Sequence, residues 1–371
     1  MRIKDLFEIN KGITTSREFF DDNKGIPCVH YGDIYRFYNE KTILSSNILN
    51  KFTLNLDKLK PINQDSIIMP DVTETITDFG HLTYIKYDKT QYINGTHTLV
   101  ILNNRNNNLK YLFYYLQSSK IKKQLQTLLL GSTVFQISKK GLENFELQSI
   151  HSENEQRHIV DIIGSLDDKI ENNNKLYKKM DEYILLEYKK IQDKSIKDIF
   201  KDNFNILNGY AFKSKDYIEF GTYKVITIKN IKSDGFTTIS CDFIDFNDDY
   251  KKVKLNVGDI LLTMTGDVGR VGIVDQENCL LNQRVLKVTG ISPAYTYAFL
   301  KSNYYNISMI SKGSVQQNLS VNDLYNISVY NSKQQIIEFK KYDSLFAKMI
   351  ALKKENIKLQ QLKLNYLAKF F

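Results

Sequence analysis

The sequence predicts a mixed α/β (α+β) fold with two tandem globular modules, each followed by a long helix, related by a pseudo-two-fold internal repeat. Three observations predict it: the length of 371 residues, one long internal repeat, and two proline-free segments with apolar residues every three or four positions. A chain of this length more often forms two domains than one. We therefore expect a module at 1–150, a long helix at 151–194, a second module at 195–331 and a second long helix at 332–371.

The two modules combine short strands with single helices. Runs of β-branched residues bounded by turns predict strands at 66–69, 98–102, 223–228 and 260–264. Leu, Phe and Tyr recur at helical spacing in 109–129 and again in 294–310. We expect one helix over each of these two ranges.

The internal repeat indicates duplication of a whole module. Residues 3–7 (IKDLF) recur as residues 196–200 (IKDIF), and an Asn/Gly turn follows each copy. Later, residues 131–142 align without a gap with residues 313–324. A repeat of about 180 to 190 residues is far longer than the about 20–50 residues of a solenoid unit. The alternative is chance similarity in a biased composition, but the landmarks occur in the same order in both copies.

Each long helix begins with a capping box. Ser152 with Glu155, and Ser332 with Gln335, match the pattern in which a serine caps the helix and a Glu or Gln side chain reaches back. Two rows of residues spaced by seven then follow, which is typical of a coiled-coil seam. The rows of the first helix are Ile163, Ile170, Tyr177, Ile184, Ile191 and Ile159, Leu166, Asn173, Met180, Glu187; those of the second are Leu345, Leu352, Leu359, Tyr366 and Tyr342, Met349, Asn356, Lys363, Phe370.

One asparagine interrupts the seam of each long helix, at Asn173 and at Asn356. A buried asparagine in a coiled coil costs stability and fixes the register. We therefore predict that the two helices pack as an antiparallel coiled coil and that these two residues set its register. The alternative is that each helix packs on its own module.

Charge and composition restrict the classes of function. Basic residues number 51 and acidic residues 42, which gives a net charge of +9 and a pI near 9.0. The surplus favours a polyanionic partner such as nucleic acid, although a lysine-rich surface on a soluble protein would produce it equally well. Three scattered cysteines, no secretion signal and no membrane-length apolar run predict a cytoplasmic protein without a disulfide framework.

Motifs of catalysis are missing from the sequence. It has no Gly-x-x-x-x-Gly-Lys-Ser/Thr loop, no Asn/Asp-Pro-Pro-Tyr/Phe motif and no Gly-x-Gly-x-x-Gly turn, and its five histidines have no metal-ligand spacing. Pro70-Asp71 matches the start of a nuclease carboxylate motif, but no Asp/Glu-x-Lys follows at a suitable distance. We expect no catalytic residue, no metal and no cofactor in this chain.

Residues 257–288 carry the densest cluster of candidate contacts. A predicted strand runs into the polar turn Thr265-Gly266-Asp267, and Arg270 lies between two glycines. Asn282, Gln283 and Arg284 follow, and such side chains form paired hydrogen bonds with adenine or guanine edges. The alternative is an ordinary turn, with glycines for the backbone and polar side chains in water.

The pattern GDILLTMTG…G…G…LNQR, the later K-G-S with Q-x-L-S, and the capped long helix together resemble the specificity subunit of type I restriction–modification systems. The resemblance covers essentially the whole chain, and the second half fits best. In the first half, residues 70–75 (PDVTET) stand where the second half has residues 264–267 (MTGD). Asn94-Gly95-Thr96-His97 stands near the place of Asn282-Gln283-Arg284. Such divergence is what two domains that read different half-sites would show.

The resemblance implies a sequence-specific DNA-binding subunit without catalysis of its own. Each target recognition domain would read one half of a bipartite, asymmetric site in double-stranded DNA, and the coiled coil would set the spacer. Two methyltransferase (M) subunits would dock on it, and restriction (R) subunits would join them. S-adenosylmethionine, ATP and Mg are expected in those partner subunits and none of them in this chain. Residues 333–371 carry nine basic and three acidic side chains, so we expect this helix near spacer DNA or an acidic partner surface.

Basic, amide and hydroxyl side chains on turns are the predicted DNA contacts, with lysine on phosphates and Arg, Asn and Gln on bases. The first module contributes Lys11, Thr14, Thr15, Ser16, Arg17, Tyr31, Arg36, Thr73, Thr75, His97, Ser132 and Gln136. The second contributes Lys213, Lys215, Lys229, Asn230, Thr265, Arg270, Asn282, Gln283, Arg284, Ser314, Gln316 and Gln317. Two other functions are kept as alternatives: a coiled-coil adaptor without a DNA role, and a self-sufficient DNA methyltransferase or nuclease, which the missing motifs disfavour.

Overall fold

The chain folds as two compact units that share the long helices. The computed structural model describes residues 1–21, 24–36, 43–45, 51–53, 60–77, 79–103, 108–148, 150–193, 195–196, 198–233, 235–239, 241–311 and 318–371. The first unit comprises Met1–Lys169 with Leu359–Phe371, and the second comprises Ile170–Lys358. Each unit therefore holds one α/β module together with one part of each long helix. The predicted module boundaries remain a prediction.

Unit 1 begins with a short helix and alternates short strands with helices. Its strands are β1 (Phe7–Lys11), β2 (Phe20–Asp21), β3 (Ile26–Val29), β4 (Ile43–Ser45), β5 (Lys51–Phe52), β6 (Ser66–Pro70), β7 (Val72–Thr73), β8 (Thr83–Lys86), β9 (Ile93–Asn94), β10 (Thr98–Asn103) and β11 (Phe135–Gln136). Its helices are α1 (Ile3–Leu6), α2 (Tyr31–Arg36), α3 (Leu109–Gln117), α4 (Ser119–Gln126), α5 (Lys139–Glu143) and the first part of α6 (Glu153–Lys190).

Unit 2 repeats this plan with different strand lengths. Its strands are β12 (Asp198–Ile199), β13 (Phe204–Asn208), β14 (Tyr223–Ile226), β15 (Ile231–Lys232), β16 (Gly235–Phe236), β17 (Asp242–Ile244), β18 (Lys254–Leu255), β19 (Ile260–Thr263), β20 (Val271–Ile273), β21 (Cys279–Leu281), β22 (Val285–Gly290) and β23 (Ser328–Val329). Its helices are α7 (Phe200–Asn203), α8 (Pro293–Ser302), α9 (Tyr304–Met309), α10 (Val321–Tyr325), α11 (Lys333–Glu338) and most of α12 (Asp343–Phe370).

The two modules share the central strand order and pairing of their sheets, which confirms the predicted duplication. The larger sheet has the order β1-β10-β6-β8-β4 in the described part of unit 1 and β13-β22-β19-β20 in that of unit 2. The pairs β1–β10 and β13–β22 are antiparallel, as are β6–β10 and β19–β22. In each module a second sheet contains one parallel pair, β3–β9 and β14–β21. The predicted mixed α/β fold with two tandem modules is therefore confirmed.

The hydrogen bonds of the later repeat follow the predicted alignment residue by residue. Ser138 caps α5 by accepting a hydrogen bond from Gly141 N, and Ser320 caps α10 by accepting one from Asp323 N. At the ends of these helices, Asn144 and Asn326 each donate to a main-chain carbonyl four residues back, both at 2.8 Å. The alignment of 131–142 with 313–324 is thus an alignment of structure as well as of letters.

The alignment of the first repeat was wrong by four residues. Residues 3–7 correspond in structure to residues 200–204 (FKDNF), because α1 leads into β1 as α7 leads into β13. Ile3 N donates to Phe145 O at 3.1 Å, and Phe200 N donates to Ile327 O at 2.9 Å. Both residues are fully buried, so the two copies share a large apolar side chain at this position although the residue type differs. Residues 196–200 (IKDIF) share more identical letters with residues 3–7 (IKDLF) than residues 200–204 (FKDNF) do, although they are not the structural equivalent.

The single helix predicted in each module is two helices. Ser118 separates α3 from α4, and Asn303 separates α8 from α9. The Ser118 backbone is extended (ψ 142°), and its hydroxyl accepts a hydrogen bond from Ile121 N to cap the second helix. The Asn303 amide donates to Phe299 O at 2.9 Å and closes the first helix. The apolar spacing continues across both breaks, so periodicity alone did not reveal them.

The long helices carry the predicted caps and seams. Glu155 accepts a hydrogen bond from Ser152 N at 2.9 Å, and Gln335 accepts one from Ser332 N at 2.8 Å, so both capping boxes are present. Helix α6 has 38 residues, whereas the C-terminal helix is interrupted by a 3-10 turn at 339–342 before α12. Every predicted seam position is buried or half-buried. Among the described residues, none of the helices is long and apolar enough to cross a membrane.

The two long helices pair in antiparallel fashion within each unit. In unit 1, Asp167 of α6 forms an ion pair with Lys363 of α12 at 2.7 Å. In unit 2, Asn173 bonds to Asn356, and Tyr342, just before α12, bonds to Glu187. As residue numbers rise along α6, from 167 to 173 to 187, the numbers of the partner residues fall, from 363 to 356 to 342. Antiparallel packing requires this order. Residues of both long helices also belong to the module cores: Ile163 of α6 and Leu367 of α12 lie in the core of unit 1, and Ile184 and Met349 lie in that of unit 2. Each helix therefore packs on its partner helix and on both modules, and not on its own module alone.

Asn173 and Asn356 form the polar centre of the seam in unit 2. Asn173 Nδ2 donates to Asn356 Oδ1 at 2.9 Å and to Glu355 Oε2 at 2.8 Å, and Asn356 Nδ2 donates to Asn174 Oδ1 at 2.8 Å. The two side chains are 3 % and 7 % exposed. Both amides are thus satisfied inside an apolar interface, which is the arrangement that a register-setting pair needs.

Replacing only one of these asparagines should destabilise the chain more than replacing both. We expect Asn356→Leu to cost about 1–3 kcal/mol, because it removes the hydrogen bond from the buried Asn173 amide to Asn356 Oδ1 and puts an apolar side chain beside that amide. Asn173→Leu with Asn356→Leu should cost less than that. Urea unfolding of the two single variants and the double variant measures the three differences. Additive losses would contradict the pairing. Asn172→Leu, at an exposed position of the same helix, is the control.

Candidate nucleic-acid interface

In each module two turns cross at a distance that only glycine permits. A Cβ atom on Gly12 would lie 1.8 Å from Gly95 O, and one on Gly209 would lie 2.1 Å from Asn282 O. Gly12 directly follows β1, and Gly209 directly follows β13. Their partners, Gly95 and Asn282, belong to the turns that lead into β10 and β22. The glycines therefore hold the segments 94–97 and 281–284 against the body of the sheet.

Backbone hydrogen bonds fix residues 281–284 of unit 2 on several sides. Asn282 N donates to Ile226 O at 3.1 Å, and Gln283 N donates to Tyr210 O at 3.0 Å. The Asn282 side chain accepts a hydrogen bond from Arg284 N at 3.2 Å, as in an Asx turn. The Asn282 amide is thus used to shape the turn. The Gln283 and Arg284 side chains are exposed, and neither has a hydrogen-bond partner among the described residues.

The neighbouring Arg270 is neutralised by a carboxylate. Its guanidinium forms an ion pair with Asp267 and donates to Ile231 O at 3.4 Å. Asp267 also accepts a hydrogen bond from the Tyr304 hydroxyl at 2.6 Å. This bond and burial raise the pKa of the Tyr304 phenol, because ionisation would place a second negative charge beside Asp267. Arg270 therefore supports the turn 265–270, and its Nε is buried without a partner in the described structure.

Several predicted contacts of unit 2 face the interior. Asn230 is fully buried, and its amide accepts from Thr227 N at 2.9 Å and donates to Cys241 Sγ at 3.1 Å. Thr265 is 7 % exposed. In this conformation neither side chain is available to DNA, because both are packed within the module.

The remaining predicted contacts of unit 2 lie on turns. Lys229 is exposed and pairs with Asp242 at 2.9 Å. Lys213 and Lys215 are exposed beside the 3-10 turn at 214–216. The predicted contacts Ser314, Gln316 and Gln317 lie outside the described residues.

In unit 1 the turn before β10 presents His97 over a buried carboxylate. His97 Nδ1 lies 3.3 Å from Asp71 Oδ1, and Gln136 Nε2 lies 3.5 Å from Asp71 Oδ2. Asp71 is 5 % exposed, whereas the His97 side chain is 48 % exposed. The Tyr31 ring packs against the imidazole edge to face, with ring centroids 5.5 Å apart. Two predicted contacts, His97 and Gln136, thus meet at Asp71, and a third, Tyr31, packs on His97.

Two predicted contacts of unit 1 are structural in this conformation. Thr15 is 5 % exposed and ties its loop to Thr96 through side-chain and main-chain hydrogen bonds of 2.6 to 3.1 Å. Thr73 is 4 % exposed, and its hydroxyl donates to Thr75 O at 2.8 Å. Both hydroxyls are therefore used within the module: that of Thr73 closes a local turn, and that of Thr15 joins two segments that are far apart in sequence.

The other predicted contacts of unit 1 lie along its loops and helix ends. Lys11, Thr14, Thr75 and Ser132 are exposed, and Ser16 is exposed with its hydroxyl donating to Glu18 at 3.0 Å. Arg17 begins the 3-10 turn at 17–19, and Arg36 ends α2.

Main-chain hydrogen bonds place His97 and Arg284 at the same position of the two modules. Asp71 N donates to His97 O at 3.0 Å, and Met264 N donates to Arg284 O at 3.0 Å. Ile137 N then donates to Asp71 O, and Leu319 N to Met264 O, both at 2.9 Å. Sequence reasoning set residues 70–75 against 264–267 and thus found the segment, but it did not select Asp71. The sequence held a signal for Asp71, because it occupies the structural position of Met264, and Met264 directly precedes the predicted contact Thr265.

The exposed side chains of the two turns can form hydrogen bonds with a ligand. The Arg284 guanidinium can only donate hydrogen bonds, whereas a ring nitrogen of His97 can donate or accept one. The backbones of both residues are held by hydrogen bonds. Among the described residues, no group of three His, Cys, Asp or Glu side chains could hold a metal ion.

Asp275 in unit 2 makes stability depend on pH. It is 9 % exposed, and burial raises its pKa to about 6. Because the carboxyl keeps its proton longer in the folded chain, stability falls as pH rises from about 4 to 6. We expect Asp275→Asn to stabilise the chain by about 2–3 kcal/mol more at pH 7.5 than at pH 4. Urea unfolding at both pH values tests this, with the exposed Asp249→Asn as control. Parallel pH profiles of wild type and Asp275→Asn would contradict it.

The chain thus consists of two copies of one α/β module, each with a rigid turn that exposes polar side chains. The family model of the type I restriction modification DNA specificity domain matches the chain twice, over residues 1–181 and 188–363. The chain belongs to this family.

A solved structure shares the fold of this chain. The type I restriction–modification system S subunit from M. genitalium is 17 % identical, with a TM-score of 0.59, and the match covers 100 % of this chain and 95 % of that one. The HsdS subunit from Thermoanaerobacter tengcongensis is 15 % identical with a TM-score of 0.34, covering 100 % and 95 %. The first of these shares the fold of this chain over its whole length.

Proposed function

We propose that each module reads one half of a bipartite, asymmetric DNA site and that the chain itself performs no catalysis. The observation that carries the proposal is the equivalence of His97 and Arg284, two different hydrogen-bonding side chains at one structural position of the duplicated module. A duplicated reader with different side chains at the same place would recognise two different half-sites. Exposed lysines of the two modules, such as Lys11 and Lys215, would bind phosphates.

The paired long helices would set the distance between the half-sites and dock two methyltransferase subunits, with restriction subunits joining them. The satisfied asparagine pair supports a defined register, since a slip would bury its amides without partners. S-adenosylmethionine, ATP and Mg would be bound by those partner subunits. The basic surface of the C-terminal helix would face spacer DNA or an acidic partner surface.

Arg284→Ala should relax specificity at one position of one half-site. Arg284 is exposed on a fixed turn, and a bidentate contact of arginine with guanine contributes about 1–3 kcal/mol of discrimination. The measurement is methylome sequencing of cells that express the variant chain with its methyltransferase subunits. The other half-site should stay unchanged. A uniform loss of methylation at all sequences would show instead that Arg284 binds phosphate.

A matched control is Arg270→Ala, because Arg270 is held by Asp267 and by a main-chain carbonyl. It should lower stability without a change confined to one base. A wild-type complex that methylates without sequence preference would contradict the proposed function. Transfer of labelled methyl groups by the purified chain alone would favour the methyltransferase alternative, and absence of any DNA binding by the assembled complex would favour the adaptor.

A further inference from the structure

We propose that Asp71 is a positioning residue that orients His97, and that His97 Nε2 accepts a hydrogen bond from the amino group of an adenine or a cytosine in the major groove. The inference rests on the proposed function, because it assigns one base contact within the half-site of the first module. The proposal names the chemical class of the base that His97 contacts, and it names Asp71 as a residue that acts through His97.

The backbone of His97 is held in an uncommon conformation. Its φ angle is +54°, in the left-handed region that few residues other than glycine adopt. Asp71 N donates to His97 O, and Thr96 is tied to Thr15 on the other side. Residues at this φ cluster at functional sites, where the surrounding structure maintains them. Here the conformation places the imidazole at the surface while its carbonyl remains inside the sheet.

Two neighbouring side chains, Asp71 and Tyr31, orient the imidazole of His97. Nδ1 lies 3.3 Å from the buried Asp71 carboxylate, and the edge-to-face contact with Tyr31 restricts rotation of the ring. Because an ionised carboxylate only accepts hydrogen bonds, this contact keeps a proton on Nδ1. The exposed nitrogen, Nε2, is then an acceptor in the neutral ring. Gln136, 3.5 Å from the other carboxylate oxygen, holds Asp71 from the opposite side.

An acceptor at this place selects among the bases by their amino groups. In the major groove, adenine N6 and cytosine N4 are the donors, whereas guanine and thymine present only acceptors to a ring nitrogen. Arg284, at the equivalent position of the second module, has only donors, and the residue beneath it is Met264. The two modules would therefore apply opposite hydrogen-bond patterns at one position of the same scaffold.

The experiment uses the full chain assembled with its methyltransferase subunits and a library of duplexes with randomised sequence, at pH 8. The variants are His97→Ala, Asp71→Asn, His97→Gln and the double variant Asp71→Asn with His97→Gln. Wild type should select adenine or cytosine at one position of one half-site. His97→Ala should lose that preference, by about 10- to 100-fold, and Asp71→Asn should weaken it. Arg284→Ala is the control, because it should change only the other half-site.

Two further comparisons separate positioning from a structural role. In the His97→Gln background, Asp71→Asn should have no effect on base preference, because glutamine carries its own acceptor and needs no tautomer. A duplex in which the selected adenine is replaced by purine, which lacks the 6-amino group, should bind wild type about 10- to 100-fold more weakly and His97→Ala equally well. If cytosine is selected, the same comparison uses a base without the 4-amino group.

Three results would overturn the inference. They are selection of guanine or thymine at the position that His97→Ala changes, an unchanged preference in Asp71→Asn, and an equal effect of Asp71→Asn in the His97→Gln background. His97→Ala decides the base contact even if Asp71→Asn fails to fold, since the His97 side chain is 48 % exposed. A wild-type complex without any sequence preference would contradict the proposed function itself, and this inference with it.

Discussion

Gly209→Ala should cost at least about 2–3 kcal/mol of folding stability and displace the turn at 281–284. The added Cβ would lie 2.1 Å from Asn282 O and 2.2 Å from Asn282 C, so the two backbones must separate. Overpacking of this kind is expensive when the atoms met are main chain, which cannot change rotamer. Urea unfolding measures the loss of stability, and base selection by the assembled complex measures the displaced turn. Gly12→Ala, with its Cβ 1.8 Å from Gly95 O, should do the same to the first module.

The matched control for these variants is Gly164→Ala in α6. Its nearest atom would be the mobile end of the Lys110 side chain, Nζ at 3.1 Å, which can move aside. Alanine is the better helix former by about 1 kcal/mol, so this variant should be neutral or more stable. Equal effects of Gly209→Ala and Gly164→Ala would contradict the close crossing of the two turns.

Asp167→Asn should cost about 3–5 kcal/mol, the second large effect. The Asp167 and Lys363 side chains are 9 % and 10 % exposed, and Nζ lies 2.7 and 3.0 Å from the two carboxylate oxygens. The Tyr114 hydroxyl donates to Asp167 at 2.9 Å, and the ammonium lies 5.4 Å from the centre of the Tyr114 ring. Removing the carboxylate charge leaves the ammonium buried without a counter-charge. Thermal or urea unfolding of the full chain measures the loss.

A double variant and a surface pair test the cause. Asp167→Leu with Lys363→Met removes both charges and should cost much less than Asp167→Asn, because an apolar pair replaces an ion pair of similar volume. Glu153→Gln breaks the exposed ion pair with Arg157 on the same helix, whose side chains are 86 % and 67 % exposed, and should change stability by at most about 0.5 kcal/mol. Equal losses at the buried and exposed pairs would contradict the argument.

Features with a regular spacing could be predicted from the sequence. The heptad rows predicted the paired helices and placed Asn173 and Asn356 in the seam, because residues spaced by seven lie on one face of a helix. The serine caps at Ser152 and Ser332 predicted both helix starts, since the capping pattern is local. The duplication followed from the order of landmarks along the chain.

Features decided by tertiary packing could not be predicted. Residues 3–7 and 200–204 share a buried apolar side chain and a short helix rather than identical letters, so matching letters led to the wrong position. The breaks at Ser118 and Asn303 depend on single side-chain hydrogen bonds within continuous apolar spacing. Residue type also could not distinguish a polar side chain that shapes a turn from one that is exposed. Thr15, Thr73 and Asn230 proved to be of the first kind, and Gln283 and Arg284 of the second.

The division of the chain between the two units has a consequence for biosynthesis. Unit 1 is closed by residues 359–371, of which Leu367 is 4 % exposed within its core, although its main body ends at Lys169. At a synthesis rate of about 5–20 residues per second, the ribosome needs roughly 10–40 s to add the intervening segment. During that time the apolar face of α6 in unit 1 has no partner helix. The first module to be translated is therefore the last to complete its core, and we expect a nascent chain at this stage to be a substrate for chaperones.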